Sequence, residues 1–404
     1  MRTLFTGGLV HDGTGAETAP GEVVVEHGRI LAVEAGHGVL DGDDVVDCAG
    51  GYLSPGFFDC HVHVCIEQPS ALQIAQTPFS LQFFLAAKHL GATLDTGITS
   101  VRDAGGADLG VRTAVEQGLV RGPRMQISVI MLSQTGGHGD DWAVCGAGMP
   151  FLVPHPGRPD GVCDGPDGVR RKVREVIRAG ADVIKVATTG GVLSPNDDPR
   201  HAHFRDDEIA EMTAEAAAAG IHVMAHAQGA PGIKAALRNG VRSIEHGIYL
   251  DDEAIDLMLE KQAWLVPTLQ APQAVIAAAD AGLPLPEASV RKAREVVAQH
   301  VESVGRAHEA GVRIAMGTDA GVGAHGTNLE EIGLMVDAGL SPGAALHAAT
   351  GSAAELLDVS EDRGTLRPGM RADLVLMDGS PDDVSGMRDR VRRVWLDGKV
   401  VAGA

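Results

Sequence analysis

The chain has 404 residues, enough for one large domain with a sizeable buried core and a small appended module. Its formal net charge of −21 repels polyanions, so binding to nucleic acid or to an anionic membrane is disfavoured. Aromatic residues make up only 3% of the sequence against 44% hydrophobic residues, so we expect a core built mainly from Ala, Val, Leu and Ile.

The pattern of cysteines and the composition of the first residues both bear on the cellular compartment of the protein. The 5 cysteines are odd in number and include no C-x-x-C pair, which argues against a disulfide framework and against a structural zinc knot. The first residues lack the apolar stretch of a signal peptide, and no window reaches the roughly 18 uncharged apolar residues of a spanning helix. We therefore expect a cytoplasmic protein with no membrane partner.

The middle of the chain alternates short β-branched runs with longer segments of helical period, which is typical of βα units. The predicted strands are Phe57–His61, Ile98–Asp103, Met125–Leu132, Val183–Ala187, His222–Ala227, Ser243–His246, Trp264–Leu269 and Arg313–Thr318. Predicted helices between them include Phe79–Thr96, Asp167–Ala179, Asp206–Ala219 and Val290–Ala310. This order predicts an α/β fold, a closed (β/α)8 TIM barrel. An open doubly wound sheet is disfavoured because no G-x-G-x-x-G loop follows the first strand.

The two ends of the chain differ from the middle. Short β-prone runs occupy Glu22–Glu26 and Arg29–Val33 near one end, and Asp373–Met377 and Arg393–Leu396 near the other. We predict that both termini form one small β-sandwich module, made of residues 1–55 and 366–404. The barrel domain then covers residues 56–365.

His61 and His63 form an H-x-H pair at the end of the first predicted strand. Alternate side chains of an extended strand point to the same face, so both imidazoles can bind one metal ion. An isolated H-x-H pair is often a chance feature. Its position adds weight here, because barrel enzymes assemble their sites at the carboxyl ends of the strands.

Lys185 lies within the apolar run Ala181–Ala187, where a buried ammonium group is costly unless it is paired. Two interpretations remain open. The side chain can reach water at the end of the strand. Alternatively, burial lowers the pKa of the amine, the neutral form captures CO2, and the resulting carbamate bridges two cations.

Three further polar residues end predicted strands: His226 the fifth, His246 the sixth and Asp319 the eighth. Any one of them alone is compatible with a buried polar residue whose hydrogen bonds are satisfied. In a closed barrel they share one mouth, and imidazole and carboxylate are ligands that zinc and similar divalent ions prefer. The predicted metal ligands are therefore His61, His63, Lys185, His226, His246 and Asp319.

With this set, the chain resembles the amidohydrolase superfamily. That pattern has H-x-H after strand one, a carboxylated lysine after strand four, histidines after strands five and six, and an aspartate after strand eight. The resemblance covers nearly the whole chain and includes the flanking segments Ser54–Asp59, Gly364–Gly369 and Ala372–Val375. The segments Val101–Gly106 and Leu132–His138, with Lys185, resemble the imidazolonepropionase-like branch that contains Xaa-Pro and Xaa-Arg/Lys dipeptidases.

The resemblance implies two divalent metal ions, zinc first among them, bridged by N6-carboxylated Lys185. By position, His61, His63 and Asp319 hold the buried ion, and His226 and His246 hold the outer one. A hydroxide that bridges the metals attacks the scissile carbonyl.

The same resemblance implies roles for residues beside the metals. Asp319 takes a proton from the attacking water and delivers it to the leaving amine. His138 hydrogen-bonds the carbonyl oxygen as it becomes an oxyanion, although a loop-capping role for this histidine stays open. Gln228 stands where the dipeptidases commonly have a Tyr, and its amide can still donate to that oxygen. His325, on the loop after strand eight, is expected to contact the substrate.

The expected reaction is hydrolysis of a peptide or amide bond in a dipeptide or an N-acyl amino acid. An alternative with the same metals opens a cyclic amide, imidazolone-like or hydantoin-like. A catalytically inactive scaffold of the same fold is disfavoured because all six ligand positions are occupied by suitable residues. We expect a small-molecule substrate and a symmetric homo-oligomer.

Overall fold

The computed structural model describes residues 1–143, 145–194 and 197–403. The predicted α/β fold is confirmed: one mixed sheet takes strands from both ends of the chain, and the middle of the chain forms parallel sheets covered by helices. Among the helices in these ranges, none combines the length and the hydropathy that crossing a bilayer requires.

The mixed sheet joins the two ends of the chain. Its strands are β1 (Arg2–Val10), β2 (Ala19–Glu26), β3 (Arg29–Ala35), β4 (Asp44–Asp47), β5 (Gly51–Pro55), β15 (Leu374–Asp378), β16 (Val391–Leu396) and β17 (Lys399–Gly403). Their order is β17-β16-β15-β5-β1-β2-β3, with β4 paired to β1. The antiparallel pairing of β15 with β5, in which Leu374 lies opposite Pro55, connects the two ends. All the terminal strands predicted from the sequence lie in this sheet.

A hydrophobic cluster shared by both ends covers one face of this sheet. Phe5 packs edge-on against Trp395, with 5.1 Å between the ring centroids. Leu53, Leu366 and Leu374 are buried in the same cluster. The termini therefore stabilise each other through apolar contacts. The domain boundaries at 55/56 and 365/366 and the sandwich form stay predictions.

The parallel strands provide the scaffold of the site. They are β6 (Phe57–Val62), β7 (Ile98–Asp103), β8 (Arg124–Ile127), β9 (Met131–Leu132), β10 (Val183–Ala187), β11 (His222–Gly229), β12 (Ser243–Tyr249), β13 (Trp264–Val266) and β14 (Arg313–Ile314). One parallel sheet has the order β14-β13-β12-β11-β10-β9 and the other the order β6-β7-β8. Because the strands are parallel, their carboxyl ends open on the same side.

Backbone hydrogen bonds connect the two parallel sheets. The Cys60 N–H donates to the Met316 carbonyl at 2.8 Å, and the Asp319 N–H donates to the His61 carbonyl at 2.7 Å. On the other side, the Asp182 N–H donates to the Ile127 carbonyl at 2.8 Å. The end of β6 therefore lies beside the segment that follows β14.

The third predicted strand is wrong as a single element. The chain forms β8, breaks, and resumes as β9, because Val129 has φ +67°, in the left-handed region that strand residues do not adopt.

The seventh and eighth predicted strands are shorter than expected. Pro267, which has no N–H for the ladder, follows β13 directly, and Thr268 has φ +55°.

The helices cover the parallel strands. They are α1 (Ala71–Ala75), α2 (Leu81–Asp95), α3 (Leu109–Glu116), α4 (Gly165–Arg178), α5 (Asp206–Ala218), α6 (Ala230–Arg238), α7 (Asp252–Lys261), α8 (Gln270–Asp280), α9 (Glu287–Glu309), α10 (Glu330–Asp337), α11 (Pro342–Ala348) and α12 (Gly351–Leu356). The four helices predicted above correspond to α2, α4, α5 and α9. In α4, Val169, Val173 and Val176 are buried at helical spacing, and Gly180, with φ +95°, follows the end of the helix.

Candidate metal centre and active site

A cavity of about 1000 Å³ opens at the carboxyl ends of the parallel strands. Its lining includes all the side chains predicted to bind metal: His61, His63, Lys185, His226, His246 and Asp319. Five of them are buried and His63 is half-buried. Strands β6, β10, β11 and β12 and the segment after β14 therefore bring these residues together.

His61, His63 and Asp319 form the tightest cluster. The Nε2 atoms of His61 and His63 lie 3.5 and 3.2 Å from Asp319 Oδ1, and the three ligand atoms lie within 4.8 Å of one another. Among the described residues, this buried oxygen has no hydrogen-bond partner of good geometry. A buried carboxylate oxygen facing two imidazole nitrogens fits a divalent cation, which would satisfy all three atoms.

The charge state of Asp319 suits a metal ligand. Burial by itself raises the pKa of this carboxyl group, yet the neighbouring His61, His63 and Lys185 outweigh burial and hold the pKa below its usual range. The carboxylate is therefore ionised at neutral pH.

Hydrogen bonds orient three of the histidines with Nε2 toward the cavity. The Nδ1 atoms of His61, His63 and His246 each lie within hydrogen-bond distance of an oxygen atom. These oxygens are Glu245 Oε2 at 2.8 Å, the Gly105 carbonyl at 2.7 Å and Thr268 Oγ1 at 2.7 Å. An acceptor at Nδ1 keeps the proton on that nitrogen, which leaves the Nε2 lone pair for a cation.

In His226 the nitrogen available to a cation is Nδ1 rather than Nε2. Its Nε2 lies 3.1 Å from the Gly190 carbonyl and donates to it, so the lone pair is on Nδ1. The ring of His226 lies 4.6 Å from the ring of His246, centroid to centroid. The two imidazoles are therefore close enough to bind a second cation together.

Lys185 is buried among these ligands. Its Nζ lies 3.3 Å from His61 Nε2, and 1% of the residue is exposed. Burial lowers the pKa of Lys185 to about 8, although Glu245 and Asp319 act in the opposite direction. The alternative in which this side chain reaches water at the strand end is wrong.

A buried ion pair lies behind His61. Arg102 Nη2 donates to both carboxylate oxygens of Glu245 at 3.0 and 3.1 Å, and Arg102 Nε donates to the Cys60 carbonyl at 2.7 Å. Ser243 Oγ donates to the same carboxylate. Sequence reasoning did not assign a role to this pair. The signal that could have identified Arg102 and Glu245 is the presence of a charged residue inside a predicted buried strand, which is the same signal that drew attention to Lys185.

Two of the candidate ligands have an unusual backbone conformation. His246 has φ +74° and Asp319 has φ +60°, both in the left-handed region that costs a residue with a Cβ about 1 kcal/mol or more. The Asp319 conformation is held by its N–H bond to the His61 carbonyl. Strained backbone that the surrounding structure maintains is common at functional sites.

His138 lines the cavity and stacks on His226, with 4.2 Å between ring centroids and 20° between ring planes. Its Nδ1 lies 2.7 Å from Ser194 Oγ. The ring of His138 therefore contacts His226, a candidate metal ligand, and Ser194, which lies on the loop that follows β10.

Gln228 lines the cavity, and His325 does not. The Gln228 side chain is buried, and among the described residues its Oε1 has no hydrogen-bond partner. His325 stacks on His89 of α2 at 4.1 Å, and its Nε2 lies 3.0 Å from the Ile66 carbonyl. The loop after β14 turns this histidine toward α2, so the structure places it outside the described cavity lining.

The remaining walls of the cavity are mainly apolar. They include Leu72, Ile130, Phe151, Leu152, Val192, Leu193, Ile248, Val275, Leu285 and Val322. In the described lining, Lys185 is the sole Lys or Arg, and the acidic residues are Asp140, Asp141, Asp197 and Asp319.

Comparison with known proteins identifies the family of the chain. The amidohydrolase family model matches residues 52–401. Ochratoxinase from Aspergillus niger is 35% identical over 370 residues, which cover 87% of this chain and 76% of that protein. A solved Xaa-Pro dipeptidase with bound methionine is 34% identical with a TM-score of 0.89, and a solved prolidase complexed with N-methylphosphonate-L-proline is 36% identical with a TM-score of 0.90. Each similarity covers 99% of both chains. The chain therefore belongs to the amidohydrolase family, in the branch that includes prolidases and ochratoxinase.

Proposed function

We propose that this protein is a metal-dependent amidohydrolase of the cytoplasm that cuts the peptide or amide bond of a dipeptide or an N-acyl amino acid. The observation that carries the proposal is the meeting of six side chains, from strands far apart in the sequence, at one cavity. Their lone pairs face a common space, which is favourable when cations lie between them.

We infer that the parallel strands form a closed (β/α)8 barrel. The hydrogen bonds between β6 and residues 316–319 on one side, and between Ile127 and Asp182 on the other, support closure of the two parallel sheets into one ring. In such a ring the carboxyl ends of all the strands surround one site.

The residues present fit two divalent ions, and we propose zinc. One ion would be held by His61, His63 and Asp319, and the other by His226 and His246. Two bound cations would supply a Lewis acid that activates water and polarises the scissile carbonyl. The lowered pKa of Lys185, about 8, increases the share of its neutral amine, which could bond to the carbon of CO2 and lose a proton to give a carbamate. The carbamate oxygens would supply further ligands for the ions.

The protein's own residues then handle protons and developing charge. Asp319 accepts a proton from the attacking water and returns it to the nitrogen of the leaving amine. His138 donates a hydrogen bond to the carbonyl oxygen as negative charge develops on it. The buried amide of Gln228 contacts the same end of the substrate.

The apolar walls favour a substrate with a hydrophobic side chain or acyl group. The names of the relatives, prolidase, Xaa-Pro dipeptidase and ochratoxinase, support a substrate in which an amino acid is joined through an amide bond.

One observation favours a second candidate, a cyclic amide of the imidazolone or hydantoin type. Lys185 is the sole Lys or Arg in the described lining, and in our proposal it is carboxylated. A substrate without a free carboxylate needs no additional cation in the cavity. The two candidates share the same metals and differ in the shape and charge of the substrate.

Removal of the metal tests the proposal. We expect dialysis against a chelator to lower hydrolysis by at least about 100-fold and added zinc to restore it, since the ions would supply the Lewis acid that lowers the pKa of the attacking water. The screen includes hydrophobic dipeptides, Xaa-Pro dipeptides, N-acyl amino acids, ochratoxin A, hydantoins and imidazolones. Metal-replete protein that hydrolyses none of these C–N bonds contradicts the proposal, and turnover confined to the cyclic compounds favours the second candidate.

Gln228→Ala is expected to lower kcat/KM about 5- to 20-fold, because one hydrogen bond to the substrate contributes about 1 to 2 kcal/mol. The comparison is steady-state kinetics on the best substrate of the screen. Gln117→Ala, at the exposed end of α3, is the matched control and should leave kcat/KM unchanged. Equal kcat/KM in Gln228→Ala and wild type contradicts the proposed contact between Gln228 and the substrate.

A further inference from the structure

The loop that follows β10 packs across His138 and brings a carboxylate to it. Asp197 Oδ2 lies 3.4 Å from His138 Nδ1, and the Asp197 side chain is 6% exposed. Ser194 Oγ lies 2.7 Å from the same nitrogen and also hydrogen-bonds the Asp197 carboxylate. The Nδ1 edge of the His138 ring therefore faces the Ser194 hydroxyl and the Asp197 carboxylate, which both belong to the loop after β10.

Lys292, on α9, anchors this loop. Its Nζ donates to the carbonyls of Gly191 and Ser194, both at 2.6 Å, and to the carbonyl of Asp197 at 3.0 Å. The same nitrogen lies 3.4 Å from Asp197 Oδ1. An ammonium group has three N–H donors, and here the three carbonyls of Gly191, Ser194 and Asp197 can accept from all of them. Lys292 therefore balances the buried charge of Asp197 and ties the loop to a long helix.

The electrostatics keep Asp197 ionised. Burial raises the pKa of its carboxyl group, but the contacts with His138, Ser194 and Lys292 outweigh burial and hold the pKa below its usual range. The loop thus presents a permanent negative charge to the Nδ1 edge of His138.

The faces of the ring are enclosed as well. A Cβ atom placed on Gly191 would lie 2.2 Å from His138 Cε1, so only glycine allows the backbone to pass this close. A second neighbour is the ring of His226, which stacks on His138 with 4.2 Å between ring centroids. The ring of His138 therefore packs against both Gly191 and His226, with Nδ1 toward Asp197.

We propose that Asp197, anchored by Lys292, is a positioning residue that holds His138 with Nδ1 toward the loop and Nε2 toward the substrate. This inference rests on the proposed function, in which His138 donates to the carbonyl oxygen. A histidine whose Nδ1 edge hydrogen-bonds the Ser194 hydroxyl at 2.7 Å and faces the Asp197 carboxylate at 3.4 Å keeps one ring orientation, and oxyanion donors act only at the right distance. Asp197 also lies in the lining of the cavity, and in this proposal it acts through His138.

A double-mutant cycle tests the proposal. We expect Asp197→Asn to lower kcat about 10- to 100-fold with a smaller change in KM, because the ring is misplaced while the cavity is intact. In the His138→Ala background the same substitution should change kcat less than about two-fold, because the residue through which Asp197 acts is gone. Equal losses in both backgrounds, or no loss in either, overturn the proposal.

Asp198→Asn is the matched control. Asp198 is the next residue, its carboxylate pairs with Arg200 at 2.6 Å, and it lies outside the described lining of the cavity. This variant should keep the kcat of the wild type. Ser194→Ala, which removes the hydroxyl and keeps the charge, should lower kcat less than Asp197→Asn does.

The crystal structure of Asp197→Asn gives a readout that does not depend on turnover. The ring of His138 should leave its stack on His226 or occupy several orientations, whereas in Asp198→Asn it should stay in place. An unmoved single orientation in Asp197→Asn overturns the positioning role. If His138→Ala has the kcat of wild type, the assigned role of His138 fails and the inference fails with it; if only Asp197→Asn has no effect, the inference alone fails.

Discussion

Asp319→Asn should lower kcat about 10²- to 10⁴-fold, the range for loss of a general acid–base group. The substitution replaces the buried oxygen that faces His61 and His63 at 3.5 and 3.2 Å with part of a neutral amide. The amide is a poorer metal ligand and cannot accept the proton of the attacking water. The measurement combines kcat on the best substrate with metal content per chain by mass spectrometry.

The metal content separates the two functions assigned to Asp319. If metal content falls with kcat and high zinc restores both, the carboxylate acts mainly as a ligand. If metal content is kept and kcat is low, the proton role is supported. Asp337→Asn, exposed at the end of α10, is the control and should keep the kcat of wild type. Full turnover by Asp319→Asn contradicts both functions.

Glu245→Ala should reduce the free energy of unfolding by about 3 to 5 kcal/mol, because it leaves the buried Arg102 without its counter-ion. In the structure this guanidinium donates to both oxygens of Glu245, and His61 Nδ1 lies 2.8 Å from one of them. The same variant should weaken metal binding about 10- to 100-fold, because His61 loses the acceptor that orients it. Denaturant unfolding and chelator competition measure the two effects.

An exposed ion pair is the matched control for Glu245. Glu295 pairs with Arg291 one helical turn away on α9, with both side chains more than half exposed. Glu295→Ala should change the free energy of unfolding by less than about 0.5 kcal/mol. The double variant Arg102→Met with Glu245→Leu should be less destabilised than Glu245→Ala, since no charge is left unpaired. A Glu245→Ala protein with wild-type stability and wild-type metal affinity contradicts this account.

The amino-acid sequence by itself determined the order of the elements and the chemistry at the strand ends. Strand β7 and strand β10 have the bounds predicted from their β-branched runs, because strand and helix periodicity is a local property of neighbouring side chains. The H-x-H pair and Asp319 could be recognised for the same reason: each ends a predicted strand, and parallel strands must place their carboxyl ends on one side.

Only the tertiary structure decided which partner each polar group has. His61 and Glu245 are 184 residues apart, and Asp197 meets Lys292 across 95 residues, so no local pattern connects them. His325 was expected in the cavity but lies against His89, because a loop residue has no periodicity to fix its direction. The break at Val129 likewise depends on its surroundings, since valine favours extended backbone. Local patterns specify elements, and long-range packing assigns orientation, burial and charge partners.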